Sequence, residues 1–397
     1  MNWVPVLFWT AVAVVVYAYA GYPIVVWCAA RRRANPVDAA APGAGQEAAD
    51  AVRPFVSLVL AAYKEERYIV QRLHNALTQD YPADRLEIIV GCDGAEDCTG
   101  DLVAAFGDDR VRLMQFRQRR GKASVLNDCI PAARGDIVVL SDANTMMQPG
   151  AIRRLVRPFD NPAVGGVCGQ LVLIDPASGC NADGLYWKYE NFLKGCEARL
   201  GALLGANGGI YAIRKSLYAP LPANTIVDDF VIGMRIHARG AQLLYEPAAI
   251  AEEETPAGVA AEFHRRARIG AGGFQSLVWL GGLLHPRRGW LAFAFLSHKV
   301  LRWICPAFLI AALVSSLALA GEPFYFRCLA AQVVFYAAAL AGSRLGAGNG
   351  WRRPLRLPTL FVGVNLALAV GFYRWLKGIH SGTWKRTERE SQTTAAA

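Results

Sequence analysis

The chain has 397 residues, of which 54% are hydrophobic, and a formal net charge of +10 at pH 7. This length suits one or two domains, and the composition is too apolar for a wholly soluble protein. Much of the basic charge flanks apolar segments, where anionic lipid would attract it, so we expect no nucleic-acid partner. The nine cysteines form no Cys-x-x-Cys pair, which predicts free, mostly buried thiols and argues against a zinc site.

The first predicted element is a membrane-spanning helix, because Val4 to Trp27 contains no charged residue. About 20 helical residues cross a bilayer core. The arginines at 31–33 follow at once, and since basic residues stay on the cytoplasmic side, the chain after them is predicted to be cytoplasmic. A cleaved signal peptide is the alternative, but here the basic residues follow the apolar stretch instead of preceding it.

The polar middle of the chain predicts an α/β domain. We assign 1–30 to the first helix and 31–53, which is rich in Ala, Pro and Gly, to a linker. From Pro54 onward, apolar runs alternate with segments of helical spacing, which is typical of a mostly parallel sheet covered on both faces. The domain is predicted over 54–284, with ligands beyond the carboxyl ends of its strands. Four strands are predicted, over 55–62, 86–92, 110–114 and 136–141.

The last third of the chain is apolar again. The segment 285–303 mixes apolar residues with His298, Lys299 and Arg302, which predicts an amphipathic helix lying in the membrane interface. About three further spans are expected over 304–376, followed by a polar tail over 377–397. Four spans would place both termini outside, whereas the basic tail favours the inside. Either one segment is re-entrant or the tail departs from the charge rule.

Three acidic residues of the middle domain are candidate functional residues, and each has an ordinary alternative. Asp93, after the second strand, could bind a base or ribose, although Asp-Gly is also a common turn. Asp142 and Asn144, after the fourth strand, suit Mg²⁺ or Mn²⁺, which bind few protein oxygens plus substrate phosphates; a helix cap is the alternative. Asp229 opens a helical stretch and could remove a proton from a hydroxyl, or simply cap the helix.

Basic residues accompany these acids. Lys122 opens a helix, whose positive end favours phosphate, although a solvated basic loop fits equally well. Arg265 and Arg268 lie in a predicted helix and could hold a leaving diphosphate or form a basic face at the lipid surface. The glycines within 270–273 indicate close packing or a hinge. The three glutamates at 252–254 are interpreted as a solvated charge run.

The order and spacing of these segments resemble the family 2 glycosyltransferases, in particular the membrane-embedded synthases of the cellulose, hyaluronan and poly-N-acetylglucosamine type. The similarity extends from about Pro54 to Trp279. The resemblance implies a Rossmann-like, GT-A type nucleotide-sugar-binding domain inserted between transmembrane helices. The matching segments are VSLVLAAYKEERYI, IIVGCDGAEDCT, GKASVLN, VVLSDANT and IVDDF, together with GANGGIYAIRKSLY, which resembles the segment lining the acceptor site.

The resemblance also implies residue roles. Residues expected to bind the nucleotide sugar are Ala62, Tyr63, Glu65, Asp93, Lys122, Asp142, Arg265 and Arg268; those for the metal are Asp142 and Asn144; and the catalytic base is Asp229. Within this set, Asp93 would read a uracil. Asn144 stands where the DxD metal motif has its second acid. Arg265 and Ile269 replace the Gln and Trp of Q-x-x-R-W, a motif associated with chain-building enzymes.

The implied activity is that of an inverting, Mg²⁺- or Mn²⁺-dependent hexosyltransferase that uses a nucleotide sugar, with UDP implied at Asp93. It would build an exopolysaccharide or other cell-surface glycan at the cytoplasmic membrane, with its catalytic domain in the cytoplasm. Expected partners are the donor, a polysaccharide or lipid-linked acceptor, membrane lipid and export or assembly subunits. One alternative is a transferase that adds a single sugar to a lipid-linked acceptor. Another is a non-catalytic nucleotide-binding subunit or transporter of an export system.

Overall fold

The computed structural model describes residues 3–37, 53–94, 96–174, 184–254, 258–345 and 354–379. Most of the predicted linker, most of the polar tail and Cys180 lie outside these ranges. The chain forms two compact units. The first comprises Met1–Val25, Gly258–Trp279 and Phe293–Gly378, and the second comprises Val26–Ala257, Leu280–Ala292 and Ile379–Ala397. The eight described cysteines are free and five are buried, as the sequence predicts.

The second unit is built on an eight-stranded mixed sheet with the order β3-β2-β1-β4-β7-β6-β8-β5. The strands are β1 (Val56–Ala62), β2 (Leu86–Asp93), β3 (Val111–Phe116), β4 (Ile137–Asp142), β5 (Met146–Met147), β6 (Val164–Ile174), β7 (Tyr211–Arg214) and β8 (Gln242–Glu254). Strands β3, β2, β1 and β4 are parallel to one another, whereas β7 is antiparallel to both β4 and β6. The predicted α/β fold with a mostly parallel sheet is therefore confirmed.

The parallel half of the sheet is an apolar layer between helices. Every residue of β1 and β2 is buried. Side chains alternate between the two faces of a strand, so an apolar run fills both faces. On one face, Leu58 and Ile88 join a buried cluster with Ile69 and Leu73 of a helix. The helices of this unit are Ile69–Leu77, Thr99–Ala104, Lys122–Ala132, Ala151–Val156, Leu185–Arg199 and Asp228–Ala238.

Strand register brings two of the candidate aspartates to one edge of the sheet. Ala61 of β1 pairs with Gly91 of β2 on one side and with Asp142 of β4 on the other. Asp93 follows Gly91 by two residues and ends β2. Since parallel strands present their carboxyl ends at the same edge, Asp93 and Asp142 flank the end of β1, as the sequence predicts.

Within the described ranges, four helices are long and apolar enough to cross a membrane: Val4–Ala30, Trp290–Ala318, Pro323–Leu345 and Arg356–Leu376. Two of them contain a π-helical turn, at Tyr17–Gly21 and Phe295–Val300. The run Trp290–Ala318 is continuous, so the amphipathic segment expected over 285–303 shares one helix with the span expected to follow it.

The glycine-rich part of the helix Gly258–Leu280 is closely packed within the first unit. A Cβ atom on Gly371 of the helix Arg356–Leu376 would lie 2.7 Å from Ala267 O and 2.8 Å from Ala271 N. A Cβ atom on Gly273 would lie 2.7 Å from the Trp303 ring. Small residues let apolar helices approach at backbone distance. Of the two alternatives for these glycines, the contacts favour close packing.

Candidate functional site

Lys122 lies at the centre of the acidic residues of the second unit. Its Nζ atom is 2.8 Å from Asp142 Oδ1 and 3.3 Å from Asp228 Oδ2. Asp142 ends β4, Lys122 opens the helix Lys122–Ala132, and Asp228 opens the helix Asp228–Ala238. Three separate elements thus supply one charged cluster. Asp228 is a member that the sequence analysis did not single out, since only Asp229 was chosen from this pair of acids.

Asp229 faces the same space as Asp142. Its Oδ1 atom accepts a hydrogen bond from Phe230 N at 2.8 Å. A Cβ atom placed on Gly208 would lie 3.2 Å from Asp229 Oδ2 and 3.8 Å from Asp142 Oδ2. Both carboxylates therefore border a small volume that stays open because residue 208 has no side chain.

In this cluster the pKa of Asp229 is shifted toward neutral pH, whereas Lys122 stays positively charged. Burial and the charge of Asp228 raise the pKa of Asp229 to about 6, against the opposing charge of Lys122. Burial alone would lower the pKa of Lys122, but the carboxylates of Asp142 and Asp228 outweigh it and raise that pKa above its ordinary value. Asp229 can therefore exchange a proton near neutral pH, which is what a general base requires.

Asp93 holds the start of the helix that carries Lys122. It is fully buried, and its carboxylate accepts hydrogen bonds from Arg120 N at 2.7 Å and from Gly121 N at 2.8 Å. Gly121 has a φ of 91°, in the left-handed region that glycine favours. Gly94, which follows Asp93, has a φ of 93°, so the predicted Asp-Gly turn is also present. Of the two alternatives for Asp93, the structure shows the turn, and the role of Asp93 at a base or ribose stays a prediction.

Tyr63 and Arg119 stack on each other in the same unit, and Tyr63 is buried. The guanidinium carbon of Arg119 lies 3.7 Å from the centroid of the Tyr63 ring. The Tyr63 hydroxyl donates to Glu96 Oε2 at 3.1 Å, and Lys64 Nζ pairs with the same oxygen at 2.8 Å. The Arg119 guanidinium thus covers one face of the buried Tyr63 ring in a cation–π contact.

The loop after β1 carries the other residues expected near a nucleotide. Ala62 ends the strand and is buried. Glu65 N donates to Thr99 Oγ1 at 2.9 Å, which ties the loop to the helix Thr99–Ala104. Lys64 has a φ of 57°, a left-handed conformation that is uncommon outside glycine and tends to occur at functional sites.

The glutamates of β8 lie beside the segment that follows β4. Asn144 Nδ2 donates to Glu253 Oε1 at 3.4 Å, and Tyr68 donates from its hydroxyl to Glu254 Oε2 at 3.0 Å. The interpretation of 252–254 as a solvated charge run is therefore wrong for Glu253 and Glu254, which are half-buried on β8 and bond to the side chains of Asn144 and Tyr68. Among the described residues, no three His, Cys, Asp or Glu side chains converge to hold a metal ion by themselves.

Arg265 and Arg268 lie on the helix Gly258–Leu280, most of which belongs to the first unit. Arg265 pairs with Glu262 at 2.8 Å, and Arg266 pairs with the same carboxylate at 2.6 Å. The structure thus brings Asp93, Lys122, Asp142, Asn144 and Asp229 into one unit with the loop of Tyr63, whereas the two arginines are in the other unit.

Arg72 is a charged residue of the second unit that sequence reasoning missed. It is fully buried on the helix Ile69–Leu77, and its Nη1 atom donates to Asn75 Oδ1 at 3.0 Å. Burial lowers the pKa of Arg72 to about 10, while the charge of Asp142 opposes that shift. The residue stays protonated and adds a second positive charge to the surroundings of Asp142. The sequence feature that could have identified Arg72 is its position within the apolar stripe formed by Ile69 and Leu73.

Tyr211, the first residue of β7, was also missed. Its hydroxyl is buried and has no hydrogen-bond partner among the described residues. Burial, together with the charges of Asp228 and Asp229, raises its pKa well above the ordinary value, so the phenol keeps its proton. A buried hydroxyl without a partner is rare in folded proteins, and this one is a donor available to water or to a ligand.

Comparison with known proteins assigns the domain. The sequence model of the family "Glycosyltransferase like family 2" matches residues 53–272. A probable glycosyltransferase, YdaM, of Bacillus subtilis (strain 168) is 28% identical over 226 residues, which cover 51% of this chain and 51% of that protein. The poly-beta-1,6-N-acetyl-D-glucosamine synthase of Staphylococcus aureus (strain COL) is 27% identical over 236 residues, covering 56% and 55%. The chain spans about half the length of the curated relatives it matches.

A solved structure shares the fold. The mannosyltransferase PcManGT from Pyrobaculum calidifontis, in complex with GDP-Man and Mn²⁺, superposes with a TM-score of 0.69 at 21% identity. The match covers 93% of this chain and 99% of that one. This likeness confirms the predicted GT-A type fold, and the family match confirms the prediction of a hexosyltransferase-type glycosyltransferase. Since the matched residues 53–272 make up more than half of the sequence, the chain belongs to the family 2 glycosyltransferases.

Proposed function

We propose that this enzyme is an inverting, metal-dependent glycosyltransferase that uses a UDP-sugar to build an exopolysaccharide at the cytoplasmic membrane. The observation that carries the proposal is Asp229, a carboxylate of raised pKa that borders, with Asp142, the open volume beside Gly208. Two known proteins support it: a relative named as a polysaccharide synthase, and a fold neighbour solved with GDP-Man and Mn²⁺.

In the proposed reaction, Asp229 accepts the proton of an acceptor hydroxyl while that oxygen attacks the anomeric carbon of the donor sugar. The new carbon–oxygen bond forms as the bond from the anomeric carbon to the diphosphate breaks, and the nucleoside diphosphate leaves with the electron pair. A single in-line displacement inverts the anomeric configuration. Lys122 stays charged beside this volume and would stabilise the departing diphosphate.

The residues after β4 fit a divalent metal ion. The Asp142 carboxylate and the Asn144 amide oxygen are hard donors of the kind that Mg²⁺ and Mn²⁺ prefer. The volume beside Gly208 would be filled by a side chain at that position. Because no complete set of protein ligands converges among the described residues, the donor phosphates would complete the coordination. When bound, the metal would neutralise charge on the leaving diphosphate.

The proposed orientation follows from charge. The arginines at 31–33 come directly after the first apolar helix, so the catalytic unit is placed on the cytoplasmic side. The acceptor would be a growing polysaccharide or a lipid-linked sugar, in contact with membrane lipid, and export or assembly subunits would act on the product.

A second candidate, addition of one sugar to a lipid-linked acceptor, is favoured by the region in place of Q-x-x-R-W. Arg265 replaces the glutamine, and its guanidinium is held by Glu262 of its own helix. Ile269 replaces the tryptophan and is 40% exposed. Neither side chain offers the amide or the aromatic ring of that motif.

The test uses the full chain in lipid nanodiscs with Mn²⁺ or Mg²⁺ and a panel of UDP-sugars and GDP-mannose. Release of nucleoside diphosphate is followed together with the size of the labelled product, and Asp229→Asn is the control. High-mass product that the variant abolishes supports the polysaccharide synthase. A product of one sugar on a lipid supports the second candidate. Tight UDP binding without turnover of any donor would instead indicate a non-catalytic subunit.

A further inference from the structure

The ammonium group of Lys122 pairs with Oδ1 of Asp142, the carboxylate proposed to bind the metal ion. It is within 2.8 Å of one carboxylate oxygen of Asp142 and 3.3 Å of Asp228. The Lys122 and Asp228 side chains are only 21% and 10% exposed, so water screens these charges weakly. A divalent cation that approached Asp142 while Lys122 stayed in place would meet a like charge at short range.

The backbone next to Lys122 is held in place, while its side chain could pair with a diphosphate instead of Asp142. Asp93 holds the N–H group of the preceding residue, Gly121, at 2.8 Å. The flexible stem of a lysine allows its ammonium to move without moving the helix. An incoming diphosphate offers that ammonium several anionic oxygens at the positive end of the helix Lys122–Ala132. The Lys122 ammonium can therefore leave Asp142 and pair with a phosphate.

We propose that Lys122 is a tethered competitor of the divalent metal ion. In the free enzyme its ammonium neutralises Asp142 and keeps metal affinity low. A nucleoside diphosphate draws the ammonium away, so the metal binds together with the nucleotide and not before it. This inference rests on the proposed role of Asp142 as a metal ligand.

Two further observations agree with an order in which the nucleotide comes first. The described residues contain no group of three acidic, His or Cys side chains that would hold an ion without a ligand. Arg72, fully buried and within electrostatic range of Asp142, adds a second positive charge against an entering cation. The affinity for the metal ion is therefore raised most by the negative charge of a bound diphosphate.

The test is direct Mn²⁺ binding to the full chain in nanodiscs, followed by electron paramagnetic resonance of free Mn²⁺ with and without UDP. Wild type is expected to bind weakly without UDP. Lys122→Met removes the competing charge and should bind Mn²⁺ without UDP about tenfold more tightly or better, about 1.4 kcal/mol. Arg120→Met is the matched control, because it removes an equal charge that pairs with Asp128 instead. Its Mn²⁺ affinity should remain within about twofold of wild type.

The double variant Lys122→Met with Asp142→Asn should lose the gained affinity, which would locate the ion at Asp142. The inference is overturned if Lys122→Met gains no affinity, or if wild type binds Mn²⁺ equally well with and without UDP. Equal Mn²⁺ binding by wild type with and without UDP overturns the inference even if the variant fails to fold, whereas support requires the gain in affinity of Lys122→Met. Absence of Asp142-dependent binding even with UDP would contradict the proposed metal dependence itself, a result distinct from failure of the competition.

Discussion

Gly208 lies so close to Asp229 that a Cβ atom added to the glycine would be 3.2 Å from Asp229 Oδ2. The same atom would be 3.8 Å from Asp142 Oδ2. The end of β4 and the start of the helix Asp228–Ala238 thus converge on a stretch of backbone that carries no side chain. In the proposed reaction a sugar would bind between these carboxylates, and it would need the space that the missing side chain leaves.

Gly208→Ala is therefore expected to lower kcat/KM about 100-fold, because displacement of a reacting group by roughly 1 Å costs about that much. Stability should change little, since only the end of the Asp229 side chain has to move. The control is Gly195→Ala on the helix Leu185–Arg199, where an added Cβ atom meets nothing within 4 Å. Steady-state kinetics of nucleotide release would measure the effect, and equal kcat/KM for both variants would contradict it.

The pH dependence of kcat/KM should report the ionisation of Asp229. Its pKa is raised to about 6, and the base must be deprotonated to accept a proton. Activity is thus expected to be complete above that pH and to fall about tenfold per unit below it. Lys122 lowers the pKa of Asp229, so the residual activity of Lys122→Met should begin to fall at a higher pH than that of wild type. A wild-type profile that stays flat down to pH 5 would exclude Asp229 as the base.

The charged form of Asp229 should lower the free energy of unfolding of the protein. The pKa of Asp229 rises from 3.8 to about 6 on folding, so its charged form is disfavoured in the folded state. The resulting loss of stability, roughly 2 to 3 kcal/mol, is fully present above pH 6 and disappears as the pH falls toward 4. Asp229→Asn should therefore unfold at a higher temperature than wild type at pH 8, and the difference should shrink at pH 5. An equal difference at both pH values would argue against this origin.

The parallel half of the sheet was predictable because its signals are local. Consecutive apolar residues between helical segments define β2 and β4, and the predicted strand ends lie within one residue of Asp93 and Asp142. Strands β6 and β8 were not assigned. Glycines interrupt the apolar pattern of β6, and its pairing with β8 contains register shifts that depend on contacts distant in sequence.

Charged residues were the hardest to predict, since their state depends on partners far along the chain. Lys122 was expected at a phosphate, but in this structure it pairs with Asp142. Arg302 was assigned to an interfacial helix because of its charge. It is instead buried in a continuous apolar helix, with its guanidinium carbon 5.5 Å from the centroid of the Tyr19 ring. No local pattern identifies such a partner when the two residues belong to different helices.

The close contact between two helices of the first unit gives the last prediction. Gly371 faces the backbone of Ala267 and Ala271, and these atoms cannot move away as a flexible side chain could. Gly371→Ala should therefore push the helices apart and destabilise the protein by about 1 to 3 kcal/mol. Gly363→Ala, on the same helix, is the control, because an added Cβ atom there meets nothing within 4 Å. Thermal unfolding in nanodiscs, followed by tryptophan fluorescence, should show a lower midpoint only for Gly371→Ala. Equal midpoints would mean that this contact contributes little to stability.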